Sequence, residues 1–249
     1  MIVRADTRDL ILVTQSDHAR LAADLMRAWQ NDGLPDRPTR EAALFATAHH
    51  DDGWMVHDEA PSVDPLTARP FDFVGAPVAM RHDVWRRAVP LLAKRSTYAA
   101  ALVAQHALTI YRRHASDAAW RAFFADMERA RDEWYGAPPL ADEACGSIDP
   151  APPARLAFLQ DYAVVALGDL LSLTFCNGWR RPQAREGYEV VLEGDRLEVH
   201  PDPFGGREVE LAVRARRVPN RRYASDDDLR NAVAAAPNEW LTGRAGGRP

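Results

Sequence analysis

Imidazole and carboxylate side chains recur along this chain in an order that suits metal chemistry. His18 comes first, then His50-Asp51 within "ATAHHDDGWMVHDEAP" (46–61), then His82 and His106, and last Asp169 in "DYAVVALGDLLSLTFC". Asp169 is the most informative of these. Its neighbours one helical turn away, Val165, Ala166, Ser172 and Leu173, are apolar or small. An ionised carboxylate in such a stripe is costly unless it is paired or bound to a metal. A buried salt bridge or a cap on another helix is one reading, and a metal or catalytic role is the other. Imidazole nitrogen and carboxylate oxygen are donors that Mn, Fe, Zn or Ni accept. A set of two histidines and two carboxylates leaves positions open for water or substrate, and metal-bound water becomes a nucleophile near neutral pH.

Helical elements must position these groups. "SDHARLAADLMRAWQ" reads as a helix with Ser16 or Asp17 as N-cap, and His18 shares the face of Leu21, Leu25 and Trp29. "TREAALFATAHH" reads as a second helix capped by Thr39. On a regular helix, His50 and Asp51 diverge by about 100°, so they serve one centre only if other helices supply partners on either side. His106 falls at core spacing among Leu102, Val103 and Ile110, within a helix expected over 97–114. Further helices are expected at 81–93, 117–134 and 154–177, with a proline-rich connector before the last. Residues 59–80 read as a long loop, with prolines at 61, 65, 70 and 77.

The period changes to two near the termini. "IVRA" and "LILVTQ" read as short strands joined by "DTRD". "YEVVLEGDRLEVHP" reads as a hairpin about Gly194-Asp195, and "REVELAVRARRV" as a further strand. A short helix, "SDDDLRNAVAAA", follows, and "GRAGGRP" reads as a frayed tail. The similar length and amphipathic pattern of the first and last strands place them in one sheet. The expected organisation is an N-terminal hairpin (1–15), a helical domain (16–180) and a C-terminal β/α extension (187–241). The fold class expected is mainly α with a small accessory antiparallel sheet.

The 249 residues suffice for one or two sizeable cores, and a net charge of −5 with pI about 5.9 argues against a nucleic-acid partner. The arginines of "RRPQAR" and "RARRVPNRR" fit a solvated face or strand edge better than an anion site. Cys145 and Cys176 form neither a disulfide framework nor a CxxC pair, which suits a reducing compartment. The N-terminus lacks the pattern of a signal peptide, and Asp169 interrupts the longest apolar run, so a cytoplasmic protein without a membrane partner is expected. Homo-oligomers are compatible with the sequence. GxSxG, P-loop and GxGxxG patterns are missing, which removes support for serine-hydrolase, NTPase and dinucleotide-binding readings.

The dipeptide His-Asp is weak evidence by itself, since it occurs at 50–51, 57–58 and 82–83. The order of the whole set says more. It resembles the HD-domain superfamily of metal-dependent phosphohydrolases, which are all-α. More narrowly, "LVTQSDHARLAADLMRAW", "HHDDGW" and "GDLLSLTFC" resemble an uncharacterised bacterial family known only as a domain of unknown function, over most of the chain. The superfamily resemblance implies His18, His50, Asp51 and Asp169 as core metal ligands, with Asp51 also the catalytic carboxylate. It adds His82 and His106 for a two-metal site. The implied cofactor is one or two divalent transition metal ions, and the implied reaction is hydrolysis of a small phosphate ester by metal-bound hydroxide. Arg20, Arg81 and Arg112 are candidates to hold the phosphate. The proline-rich segment after the His-Asp pair departs from the superfamily pattern, so substrate preference does not carry over. Two alternatives stay open: a di-iron oxygenase on the same scaffold, which needs both His82 and His106, and a non-catalytic binding or sensory protein.

Overall fold

A computed structural model describes residues 1–136 and 155–248. The expected proline-rich connector and Cys145 lie outside the described residues.

The sequence-based expectation of a mainly α, HD-like core with a small accessory sheet is overturned. Seven strands join in one mixed sheet in the order β1-β2-β6-β7-β5-β4-β3. Strands β1 (Ile2–Ala5) and β2 (Asp9–Val13) form a hairpin. After the helices come β3 (Gln183–Arg185), β4 (Tyr188–Glu193), β5 (Arg196–His200), β6 (Val209–Pro219) and β7 (Asn238–Gly247). All pairings are antiparallel except β5 with β7. The anticipated union of first and last strands is made by β2 with β6, where Asp9 faces Pro219.

Two local misreadings explain why the sheet looked small. Strand β3 is short and turns into β4 through Glu186 and Gly187, both at positive φ, so its period-two signal is too brief to register. The second misreading concerns the tail. "GRAGGRP" resembles a frayed end, yet Gly243, Ala245 and Gly246 belong to β7, in the middle of the sheet. Glycine stands at 243 because the strand passes hard against its neighbours. A Cβ there would sit 2.6 Å from Phe175 Cε2 and would collide with the Asp195 carbonyl oxygen.

β2 reads as continuous apolar residues because both of its faces are covered. Ile11 and Val13 join the main core against the helices, whereas Leu10 and Leu12 join a second cluster with Met1, Val218, Tyr223 and Leu229. Leu229 comes from the short helix α8 (Asp226–Ala235), capped by Ser225.

The helices are α1 (Gln15–Ala28), α2 (Arg40–His49), α3 (Met55–Glu59), α4 (Val78–Ala93), α5 (Thr97–Ile110), α6 (Arg121–Gly136) and α7 (Arg155–Asn177). Thr14, not Ser16 or Asp17, caps α1, its hydroxyl oxygen accepting from the Asp17 N–H. The expected stripe of Leu21, Leu25 and Trp29 is buried with His18. Trp29 carries that face onto the sheet, its ring 4.7 Å from Tyr188 and 5.9 Å from Phe204. α7 runs through the core, packed against α1, α2, α5 and the strands. Its length and composition would let it cross a membrane, but 61% of its most apolar stretch is buried inside the protein.

Two arginines of the second basic segment are balanced by carboxylates, and a third by backbone carbonyls. Arg217 pairs with Asp6 and Glu239, and Arg221 with Asp228. Arg216 donates to the Val233 and Ala236 carbonyls.

Candidate metal centre

Four helices deliver the chemistry-bearing side chains to one buried point. His18 stands in α1, His50 directly after α2, His106 in α5 and Asp169 in α7. The helices come close enough because position 168 is glycine. A Cβ there would meet Thr47 Cγ2 at 2.8 Å and Met26 Cγ at 3.0 Å. Adjacent His50 and Asp51 both reach the point because α2 ends between them. His50 keeps helical dihedrals, while Asp51 turns to φ −111°, ψ 14°. The divergence expected of neighbours on a regular helix is thereby removed.

His50 Nε2 lies 3.3 Å from Asp169 Oδ1 and 3.7 Å from Asp51 Oδ2. His18 Nε2 lies 2.9 Å from Asp51 Oδ2, and His106 Nε2 3.5 Å from Asp169 Oδ2. One donor atom from each of His18, His50 and Asp169 fits within a mutual 4.8 Å. The imidazoles are buried, and both carboxylates are 9% exposed.

Surrounding groups orient the rings. The Thr47 carbonyl accepts from His50 Nδ1–H at 2.7 Å, which leaves a lone pair on His50 Nε2. The Ser172 hydroxyl donates to the Asp169 carbonyl at 3.1 Å, so its oxygen accepts from His18 Nδ1–H at 3.0 Å. His18 Nε2 is thus also left to face a carboxylate. Two nitrogen lone pairs against two carboxylates cannot coexist without positive charge among them, supplied by protons or by a cation. His50 Nε2 is buried and makes no hydrogen bond. That orphaned atom, in a set of imidazole and carboxylate donors, fits a divalent transition metal.

The electrostatics agree. Burial alone would lower the His50 pKa, but the charges of Asp51 and Asp169 outweigh it and raise the value to about 9. Burial pushes the Asp169 carboxyl up, yet the close approach and charge of His106 and His50 hold it well below the usual carboxylate range. Asp51 is likewise lowered against burial, by His50 and His18. Burial lowers the His106 pKa despite its contact with Asp169.

Asp51, His106 and Asp169 also line a cavity of about 240 Å³. Trp54, Trp85 and Tyr111 form apolar walls, and Arg81 and Arg113 contribute cationic groups. Of the three arginines nominated from sequence, only Arg81 is there. Arg20 pairs with Asp17 at the surface, and Arg113 takes the place expected for Arg112. The helix expected over 97–114 ends at Ile110, and Arg112–His114 form a separate 3-10 turn, so an α-helical period carried past 110 gives the wrong direction for 112 and 113. A larger groove of about 570 Å³ runs between Met1, Arg214 and Arg230. Its Asp58 and Arg230 are engaged in ion pairs, with the Met1 amino group and with Asp226 and Asp227 respectively.

Other sequence candidates lie elsewhere. His82 is stacked on the Phe123 ring at 4.8 Å and set edge-on to Trp120 at 4.6 Å. Among the described contacts, none joins His82 to the cluster. Its place in α4 turns it toward α6, which no local pattern could indicate. His49 pairs with Asp52 at 2.7 Å on the rim. His114 pairs with Asp117 and stacks on Trp120. Asp58, in the second occurrence of the His-Asp dipeptide, is buried. It accepts from the Gln15 N–H at 2.6 Å and binds the Met1 amino group at 2.8 Å. Gln15 also lines the cavity, and no local pattern in the sequence marks it.

A family model described as "Protein of unknown function (DUF3891)" matches residues 1–220, and the chain belongs to that family. Comparison with curated proteins and with solved structures finds no match.

Proposed function

We propose that this member of DUF3891 is a metal-dependent hydrolase of a small phosphate ester. The observation that carries the reading is the convergence of three imidazoles and two carboxylates beside a cavity that also contains Arg81 and Arg113. His18, His50 and Asp169 would hold the ion, with Asp51 and His106 adjoining. A divalent transition metal bound there would supply Lewis-acid polarisation and lower the pKa of water.

The chain's own groups account for the rest. Thr47 and Ser172 fix two imidazole tautomers, so the donor atoms are preorganised. Asp51 borders the cavity, and its carboxylate takes a proton from the attacking water as the new P–O bond forms and returns it to the ester oxygen as the old P–O bond breaks, so that alcohol and phosphate leave. Arg81 and Arg113 face the phosphoryl oxygens, where guanidinium donors suit a tetrahedral oxyanion. The aromatic walls exclude water around the ester's organic part. A cavity of about 240 Å³ suits a small metabolite, not a polymer. The di-iron alternative needs His82 beside the cluster, and the stacking of His82 on Phe123 gives it no support.

The test combines elemental analysis of protein purified without chelator with phosphate release from a panel of small phosphate monoesters. Stoichiometric zinc, manganese or iron is expected, with turnover abolished by chelator and by Asp51→Asn. Protein devoid of transition metal that also takes none up refutes the centre. Metal-loaded protein that releases no phosphate from any monoester refutes the hydrolase.

A further inference from the structure

Gln15 is the first residue of α1 and is fully buried, yet neither its side-chain oxygen nor its side-chain nitrogen has a hydrogen-bond partner. A buried amide without partners is costly, because its groups have given up water and gained nothing in return. Folded chains pair nearly all such atoms, and the exceptions call for a reason. Residue 15 also belongs to the wall of the cavity that holds Asp51 and Asp169. Its backbone is anchored twice: the N–H donates to Asp58 Oδ2 at 2.6 Å, and Thr14 caps the helix that begins there. Asp58 is itself held by the Met1 amino group at 2.8 Å. A rigidly placed amide with unused donor and acceptor atoms is a preorganised recognition element.

Opposite chemistry is available in the same cavity. Arg81 spends one nitrogen on the Val74 carbonyl at 2.7 Å and stands 6.0 Å from the Tyr111 ring centre. Arg113 donates through Nε to His114 at 3.1 Å. Each guanidinium has further N–H groups beyond these bonds.

We propose that Gln15 is a ligand-binding residue of this cavity. Its side-chain amide donates to an oxygen of a phosphoryl group whose charge is met by Arg81 and Arg113. The inference rests on the hydrolase reading for the nature of the ligand, but not for its test. Because the amide makes no hydrogen bond to the rest of the protein, replacing it with an apolar side chain of similar size should leave the fold at least as stable. A residue with a structural role would behave in the opposite way.

Manganese-loaded wild type, Gln15→Leu and the double variant Arg81→Ala/Arg113→Ala are titrated calorimetrically with inorganic phosphate, and in a second arm with malonate. Manganese affinity and thermal midpoint are measured in parallel. Wild type should bind phosphate. Gln15→Leu should bind it about ten-fold more weakly, the loss of one charge-assisted hydrogen bond. Its manganese affinity should be unchanged and its thermal midpoint equal or higher. The double arginine variant should lose phosphate binding. Gln15→Leu with wild-type phosphate affinity, or with a lowered thermal midpoint, overturns the inference and leaves the metal centre standing. Manganese-loaded wild type that binds malonate in place of phosphate overturns the phosphoryl assignment. Wild type that takes up no manganese overturns the centre, and this inference with it.

Discussion

Replacing Asp169 with asparagine keeps the side-chain volume and removes one charge from the cluster. Its oxygens stand 3.3 Å from His50 Nε2 and 3.5 Å from His106 Nε2, in surroundings where the side chain is 12% exposed. At an effective dielectric of about 20, unit charges at such separations attract by about 5 kcal/mol before desolvation is subtracted. Removing one member of a buried charge pair costs roughly 3–5 kcal/mol. Transferred to a divalent cation held by the same oxygens, that is about two to three and a half orders of magnitude in affinity. The assay is calorimetric titration of chelator-treated protein with manganese and zinc, alongside the metal content of protein as purified. Asp161→Asn is the control. Asp161 is more deeply buried, but it pairs with Arg37 at 2.9 Å and with Tyr98, away from the cluster. That variant should lose stability while retaining metal affinity. Asp169→Asn with wild-type metal content refutes the assignment, as does an equal loss of affinity in both variants.

Three further outcomes follow from the same geometry. Gly168→Ala should destabilise by about 1–3 kcal/mol and weaken metal uptake, because the new methyl would push α7 from Thr47 and Met26; chemical denaturation and metal titration check both. His82→Phe should leave metal affinity unchanged, since the ring packs between Phe123 and Trp120, and a ten-fold loss would refute the separation of His82 from the cluster. For chelated protein, His50 has its pKa raised from 6.5 to about 9, so its stabilising contribution is complete below pH 6.5 and lost as pH rises through about 9. The lowered pKa values of His106, Asp51 and Asp169 act on the acid side of that window. The thermal midpoint of chelated protein should therefore fall between pH 6.5 and 9, while metal-loaded protein, whose imidazoles are already neutral, falls less. Equal slopes for the two forms would contradict this account.

Much of the local structure was legible in the residues themselves. Leu21, Leu25 and Trp29 mark the buried face of α1, and that face carries His18 into the core. The hairpin about Gly194-Asp195 follows from two alternating runs separated by a two-residue turn. Asp169 announces itself because a carboxylate at the centre of an apolar helix needs a partner, and the partners are His50 and His106. These signals are local, with periods of a few residues, so the sequence alone determined them.

Tertiary structure decided the rest. The sheet is large because β2 meets β6 some two hundred residues later and β7 threads between β5 and β6, pairings that no short-range period encodes. The glycines of β7 look like a frayed end until the Phe175 ring is placed against them. His82 and His106 are indistinguishable as letters, yet the packing of α5 on α7 takes one to Asp169, while α4 takes the other to an aromatic stack on α6. Arg113 and Gln15 acquire meaning only from the cavity they share with Asp51. A side chain's type sets what chemistry it can do, and burial and neighbours, which depend on contacts distant in the chain, set whether it does.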